Sequence, residues 1–109
     1  MVANLSMEKR RATYDLQAIK TAFGSAESLA ITAAAFKDAL RLGFDRQSIV
    51  ETVAVIERNM FFKSMTTFAD HRVWQDVYYV PVEGVFLYIK FQSDMITEFK
   101  IMSFKEQGQ

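Results

Sequence analysis

The chain has no cysteine, and only one histidine, one tryptophan and one proline among its 109 residues; its thirteen Lys and Arg are cancelled by thirteen Asp and Glu. Without cysteine, disulfide frameworks, thiolate metal sites and cysteine nucleophiles are excluded, which agrees with a reducing compartment, so the cytoplasm is the expected location. Without an excess of positive charge, a protein that coats nucleic acid through bulk electrostatics is disfavoured, because neutralising phosphates takes clustered Lys and Arg. Any nucleic-acid role must then come from a local site. Long apolar runs are also missing: the longest, residues 29–36, falls far short of the ~18 residues that span a bilayer. Glu8, Lys9, Arg10 and Arg11 interrupt the start before any apolar signal region, so neither a secretory signal nor a membrane association is expected.

What is present builds a core. Half of the residues are hydrophobic, with ten Phe, four Tyr and Trp74 among them. A chain of this length buries roughly two-thirds of its unfolded surface, and a disordered chain is excluded. No repeat, linker or low-complexity segment divides the sequence. A single domain over residues 1–109 is expected, with 1–6 as a flexible tail and 107–109 as a loose end.

The first half has helical spacing. Leu16, Ile19, Ala22 and Phe23 recur at three- and four-residue steps over residues 14–23, with Gly24 in a capping position. Ser28 or Thr32 caps a second helix with Ala33, Phe36, Ala39 and Leu40 on one face, ended by Gly43; Asp45 caps a third carrying Ile49, Val53 and Ile56. From Phe61 the period changes to two. Strand-like runs cover residues 61–68, 73–80, 85–91 and 96–104, with short connectors at 69–72, 81–84 and 92–94. Such connectors suit antiparallel neighbours, so the expected class is α+β: N-terminal helices on one face of a C-terminal antiparallel sheet.

Alternation then sorts the polar residues. Val85, Leu87, Ile89 and Phe91 form one apolar face, which the helices should cover, and Phe86, Tyr88 and Lys90 point the other way. If the helix side also takes Phe62, Trp74 and Phe104, then Lys63, Gln75, Tyr88 and Lys105 share the open side; one slipped strand would undo this grouping.

Two blocks in this region, Lys63-Ser64-Met65-Thr66-Thr67 and Trp74-Gln75-Asp76-Val77-Tyr78, resemble the MqsR (motility quorum-sensing regulator) toxins at the same separation. Met7-Glu8-Lys9-Arg10, Leu87-Tyr88-Ile89-Lys90 and Ser103-Phe104-Lys105-Glu106 extend the likeness. The resemblance implies a RelE-like fold and an endoribonuclease acting on mRNA, the toxin half of a bacterial toxin-antitoxin pair. It places the family's catalytic lysine, glutamine, tyrosine and C-terminal lysine on Lys63, Gln75, Tyr88 and Lys105, and RNA contacts on Phe62, Ser64, Met65, Thr66 and Lys90. It implies an MqsA-like antitoxin with a zinc-binding N-terminal domain and a helix-turn-helix DNA-binding domain. The zinc would be the partner's, and DNA would be reached only through it. A GCU cleavage preference is implied as well. The chain departs from the familiar pattern at Phe62, where a tyrosine is usual, and at Tyr79 and Val82, in a stretch that can carry arginines.

The residue types suit metal-free RNA scission, in which the ribose 2′-hydroxyl attacks the adjacent phosphate. Tyr88, protonated at neutral pH, suits the acid role; Lys63 and Lys105 would clamp the non-bridging oxygens; Gln75 would hold the phosphate or ribose in line. A lysine serves as base only if a neighbouring cation depresses its pKa. With His71 alone, a two-histidine mechanism is excluded. Asp70, His71 and Asp76 are too loosely spaced to signal a metal, and no cofactor is expected. Trp74 reads as core rather than a stacking platform. The alternative is a non-catalytic module whose sheet binds a protein or single-stranded RNA without cutting it.

Overall fold

The computed structural model describes residues 7–108; the expected tail at 1–6 lies outside them. Helix α1 spans Leu16–Ala22 and begins where the Asp15 carboxylate accepts a hydrogen bond from the Ala18 amide at 3.3 Å. It is shorter than the spacing predicts, because Tyr14 is used elsewhere: its hydroxyl donates to the Trp74 carbonyl at 2.6 Å. Helix α2, Ala33–Arg41, is capped by Thr32, which accepts from the Ala35 amide. Ser28, the other candidate cap, belongs to a separate short turn closed by Ser25. The buried face of α2 is made by Ala35 and Ala39, whereas Leu40, expected inside, is 51% exposed. Asp45 caps α3, Arg46–Ala54, through a reciprocal box: the Ser48 amide donates to the Asp45 side chain and the Asp45 amide donates to the Ser48 hydroxyl.

The sheet has strands β1 (Glu8–Lys9), β2 (Phe61–Thr66), β3 (Trp74–Val82), β4 (Val85–Asp94) and β5 (Glu98–Glu106), in the order β1-β2-β3-β4-β5. Every neighbouring pair is antiparallel. Four of these strands match the predicted runs, with shifted ends, and β1 is additional. Pro81 lies within β3 rather than in the turn. There β2 has already ended, since its first residue pairs with Tyr78, so β3 has a strand neighbour on one side only. Glu83 and Gly84, both with positive φ (47° and 88°), make the two-residue β3–β4 turn whose twist matches a hairpin. The last hairpin turns over residues 95–97, where Asp94 accepts from the Ile96 and Thr97 amides and the Thr97 hydroxyl. Met95 and Ile96 are therefore exposed, and β5 starts two residues later than predicted.

The helices pack on one face. Ile19, Phe23, Ile49, Val53 and Ile56 meet Tyr78, Val80, Leu87, Ile89, Phe91, Ile101 and Phe104 in a single core; each fully buried aliphatic or aromatic side chain is worth about 1.5–3 kcal/mol relative to exposure. The fold is α+β, and among the described residues no helix covers the other face of the sheet. None of the described helices is long and apolar enough to cross a membrane.

Candidate active site

Residues directly opposite each other in an antiparallel pair share a face, so the ladder defines rows across the open side. One row runs Tyr79–Tyr88–Lys105, the next Lys63–Val77–Lys90–Ser103, and the third Met65–Gln75–Gln92–Lys100. The four residues expected to converge, Lys63, Gln75, Tyr88 and Lys105, therefore lie on one face in three adjacent rows. Lys90 sits in the central row, between the rows of Tyr88 and Gln75. Val77 is wholly buried yet stands apart from the core cluster, as expected for an apolar residue roofed by the long side chains of this face.

Two bulges set this arrangement. In β2, Phe61 pairs with Tyr78 and Lys63 with Val77, leaving Phe62 as an extra residue. Phe61 packs edge-on against Tyr78 in the core, while Phe62 stacks on Tyr79 with centroids 4.5 Å apart. The expectation that Phe62 lies on the helix side is corrected: it is on the open face beside Lys63, whose Nζ is 5.3 Å from its ring. In β5, Lys90 pairs with Ser103 and Phe91 with Ile101, so Met102 is the extra residue. That bulge lets Ile101 and Phe104 both enter the core although they are an odd number of residues apart.

A second correction concerns Ser64 and Thr66. Both are fully buried on the other face, where Ser64 bonds the Thr13 hydroxyl at 2.7 Å and Thr66 accepts from the Met7 amide at 2.8 Å. Neighbouring Asp76, also fully buried, accepts from the Thr13 and Tyr14 amides at 2.9–3.1 Å. These groups tie down the chain N-terminal to α1, and they leave no polar atom for RNA. Met65, half-buried at the rim of the open face, retains access. Trp74 is half-buried on the helix side, with the Lys9 amine 4.2 Å from its ring centroid.

The electrostatics of the open face follow from crowding. The Lys105 amine is 5.3 Å and the Lys90 amine 6.0 Å from the Tyr88 ring centroid. Burial pushes the Lys90 pKa down, and the nearby Lys105 and Lys63 cations push it further the same way. Burial raises the Tyr88 phenol, helped by Tyr79 and Glu8, so it stays protonated at neutral pH. Gln75 is almost wholly buried and its amide donates to Gln92 at 2.8 Å, forming a polar floor. The Arg10 guanidinium lies 5.4 Å from the Phe62 ring centroid. Beside the amines, Phe62, Tyr79, Pro81 and Phe86 line an aromatic cleft of about 340 Å³. A balanced chain thus gathers positive charge and aromatic surface in one place. Among the described residues, no group of three or more His, Cys, Asp and Glu is arranged to hold a metal; Asp70 is engaged by Arg72 and Asp76 by backbone amides.

Sequence reasoning missed Glu8. Its strand pairs it with Met65, which turns its side chain onto the open face, and its Oε2 lies 2.5 Å from the Lys63 Nζ. That bond holds the Glu8 carboxyl below the usual carboxylate range against a smaller opposing effect of desolvation. The only sequence signal was the Met7-Glu8-Lys9-Arg10 match; 55 residues separate the partners.

The family model described as "Motility quorum-sensing regulator, toxin of MqsA" matches residues 11–106. The "mRNA interferase toxin MqsR" of Escherichia coli (strain K12) is 33% identical over 101 residues, an alignment that covers 93% of this chain and all of that protein. With the antiparallel sheet, its one-sided helices and the open face in place, the chain belongs to the MqsR toxin family.

Proposed function

We propose that the chain acts as an mRNA-cleaving toxin whose open sheet face cuts the RNA backbone by attack of the ribose 2′-hydroxyl on the adjacent phosphate. The observation that carries this reading is the three-row grouping of Lys63, Lys90, Lys105, Tyr88 and Gln75, drawn from four strands onto a single face that no helix covers among the described residues. The relative from Escherichia coli, named an mRNA interferase toxin, supports it. In the step itself the O2′–P bond forms as the P–O5′ bond breaks, leaving a 2′,3′-cyclic phosphate and a 5′-hydroxyl. Lys63 and Lys105 stabilise the charge growing on the non-bridging oxygens; preorganised donors of this kind are worth about 3–4 kcal/mol each in the transition state. Tyr88 delivers a proton to the departing 5′-oxygen. Gln75, fixed by Gln92, holds the phosphate or ribose in line. Lys90 adds positive charge at the centre, and the Phe62–Tyr79 stack with Phe86 offers aromatic planes for the flanking bases.

The proposal extends to a partner. A toxin of this family is held inactive by an antitoxin, and an MqsA-like protein with a zinc-binding domain and a helix-turn-helix domain fits, the zinc and any DNA contact belonging to that partner. The cytoplasm, where mRNA is translated, is the proposed location. The GCU preference is carried over from the family in the same way.

The test is incubation of the purified protein with a long single-stranded RNA in excess EDTA, beside a Lys63→Ala, Tyr88→Phe double variant. Fragments ending in 2′,3′-cyclic phosphate from the wild type alone are expected. Equal cutting by both proteins, or tight binding of RNA by the wild type with no cutting, would overturn the reading.

A further inference from the structure

We propose that Glu8 is the general base of the cleavage step, the group that takes the proton from the ribose 2′-hydroxyl; this rests on the reading of the open face as an mRNA-cleaving site.

The chemistry of the face creates the need. Lys63, Lys100 and Lys105 end in amines, Tyr88 is a phenol, and Gln75 and Gln92 are amides. Proton donors and phosphate clamps are abundant there, and a ready acceptor is scarce. Among the described residues, Glu8 is the carboxylate that bonds directly to one of the four candidate residues. Its charge also contributes to keeping the Tyr88 phenol protonated. Glu8 is bonded to Lys63, whose row adjoins that of Tyr88, so an acceptor and a donor border the same lysines: one proton leaves the attacking oxygen while another reaches the departing one.

The position of Glu8 is built rather than incidental. Strand β1 has only two residues and would not hold itself in place. It is fastened on the opposite face by Met7 to Thr66, Thr13 to Ser64 and Asp76, and Tyr14 to Asp76 and the Trp74 carbonyl. The register Glu8↔Met65 and Lys9↔Ser64 then decides which side chain faces the site: Glu8 goes to the open side, Lys9 to the Trp74 side. Lys63 has three N–H donors, so one bond to Glu8 Oε2 leaves two for a phosphate oxygen. Glu8 Oε1 accepts no hydrogen bond among the described residues and is the atom offered to the 2′-hydroxyl. Proton balance closes: Glu8 gains the 2′-hydroxyl proton, Tyr88 loses one to O5′, and exchange with water resets both after the products leave. Lys90 is the competing base, but it would have to act from between two other amines, and only after losing its own proton.

Glu8→Gln keeps the shape and an acceptor for Lys63 while removing the basic oxygen. The expected result is single-turnover cleavage slowed at least ~100-fold, with unchanged affinity for the same RNA made non-cleavable by a 2′-deoxy substitution at the mapped cut, and an unchanged melting temperature. Glu8→Asp should retain part of the rate, and formate should partly restore cleavage to Glu8→Ala. The acid limb of the wild-type pH–rate profile should vanish in Glu8→Gln. Wild-type rates in Glu8→Gln, or faster cutting with tighter RNA binding, would overturn the assignment and make Glu8 a mere competitor of phosphate for Lys63, while the cyclic-phosphate products of the wild type would leave the site itself standing. Loss of cleavage in Glu8→Ala that formate does not restore would likewise overturn it. A wild type that makes no cyclic-phosphate fragments would remove both the site and its base.

Discussion

Alternate residues of the same strands build the two faces of the sheet, and the faces have opposite chemistry. On β4, Leu87, Ile89 and Phe91 are fully buried beneath the helices, while Tyr88 and Lys90 between them are half-buried and carry polar groups. On β2 and β3 the contrast has a different form. Ser64, Thr66 and Asp76 on the helix side are polar but completely satisfied by the 7–14 segment, whereas Lys63, Met65 and Gln75 face the open side. One short motif therefore does two jobs divided by parity: its even-numbered residues fasten the N-terminal segment, and its odd-numbered residues line the candidate site. The packed core belongs to one face and the candidate site to the other, so substitutions on the two faces should separate in what they damage.

The largest expected effect is on the covered face. Leu87→Ala removes a fully buried side chain from the centre of the core and should lower the unfolding free energy by about 2–5 kcal/mol, read by urea titration. On the open face, Lys63→Ala should slow RNA cleavage by about 10²–10³-fold, equivalent to ~3–4 kcal/mol in the activation barrier, with a urea midpoint close to wild type. A Lys63→Ala protein that unfolds as readily as Leu87→Ala would break the division. So would a Leu87→Ala protein that stays fully stable.

Much of this division was legible in the sequence, and the failures have physical causes. The apolar alternation of residues 85–91 identified the helix side of β4, and Tyr88 followed. Asp45 announced its helix because a cap needs only a local side chain, and Thr32 was one of two caps open for the helix before it. Phe62 was misplaced because a bulge adds one residue and reverses parity from there on, and hydrophobicity alone cannot distinguish Phe61 from Phe62 as the core residue. In β5 the extra Met102 reverses parity in the same way, so that Ile101 and Phe104 share the core side. Ser64 and Thr66 look like phosphate contacts when read beside Lys63; only the ladder shows that they face away. Strand β1 is too short to have a period, and it exists because residues 64, 66 and 76 hold it. Leu40 was assigned inward because helical spacing cannot say where a stripe ends.

Raising the pH should separate the tyrosines of the two faces, Tyr78 and Tyr88. Tyr78 is 1% exposed on the helix side, and burial with the Asp76 charge pushes its pKa up to about 12 from 10.0. Because the folded value is raised, the unfolded chain loses the phenolic proton first. Stability is complete below pH 10.0 and is lost as pH climbs toward about 12, by roughly 2–3 kcal/mol at most for such a shift. Tyr78→Phe should flatten that loss in urea titrations across the window. Tyr88 is raised as well, but at a half-buried position, so Tyr88→Phe should change the alkaline slope less than Tyr78→Phe does.

The smallest effect, and the most direct link between the faces, belongs to Asp76→Asn. The buried carboxylate accepts from the Thr13 and Tyr14 amides through both of its oxygens. The amide replaces one of these oxygens with a donor that faces a donor, which should cost about 1–2 kcal/mol in stability. Because the lost bonds fasten the segment that carries β1, amide exchange should quicken at residues 7–14 more than in β3 or β4. If Glu8 takes part in cleavage, the rate should also fall several-fold, although Asp76 lies on the face away from the candidate site. Exchange that quickens uniformly through the sheet would mean that Asp76 supports the core rather than the segment, and a cleavage rate that stays at wild type while β1 loosens would separate the position of Glu8 from the chemistry of Lys63.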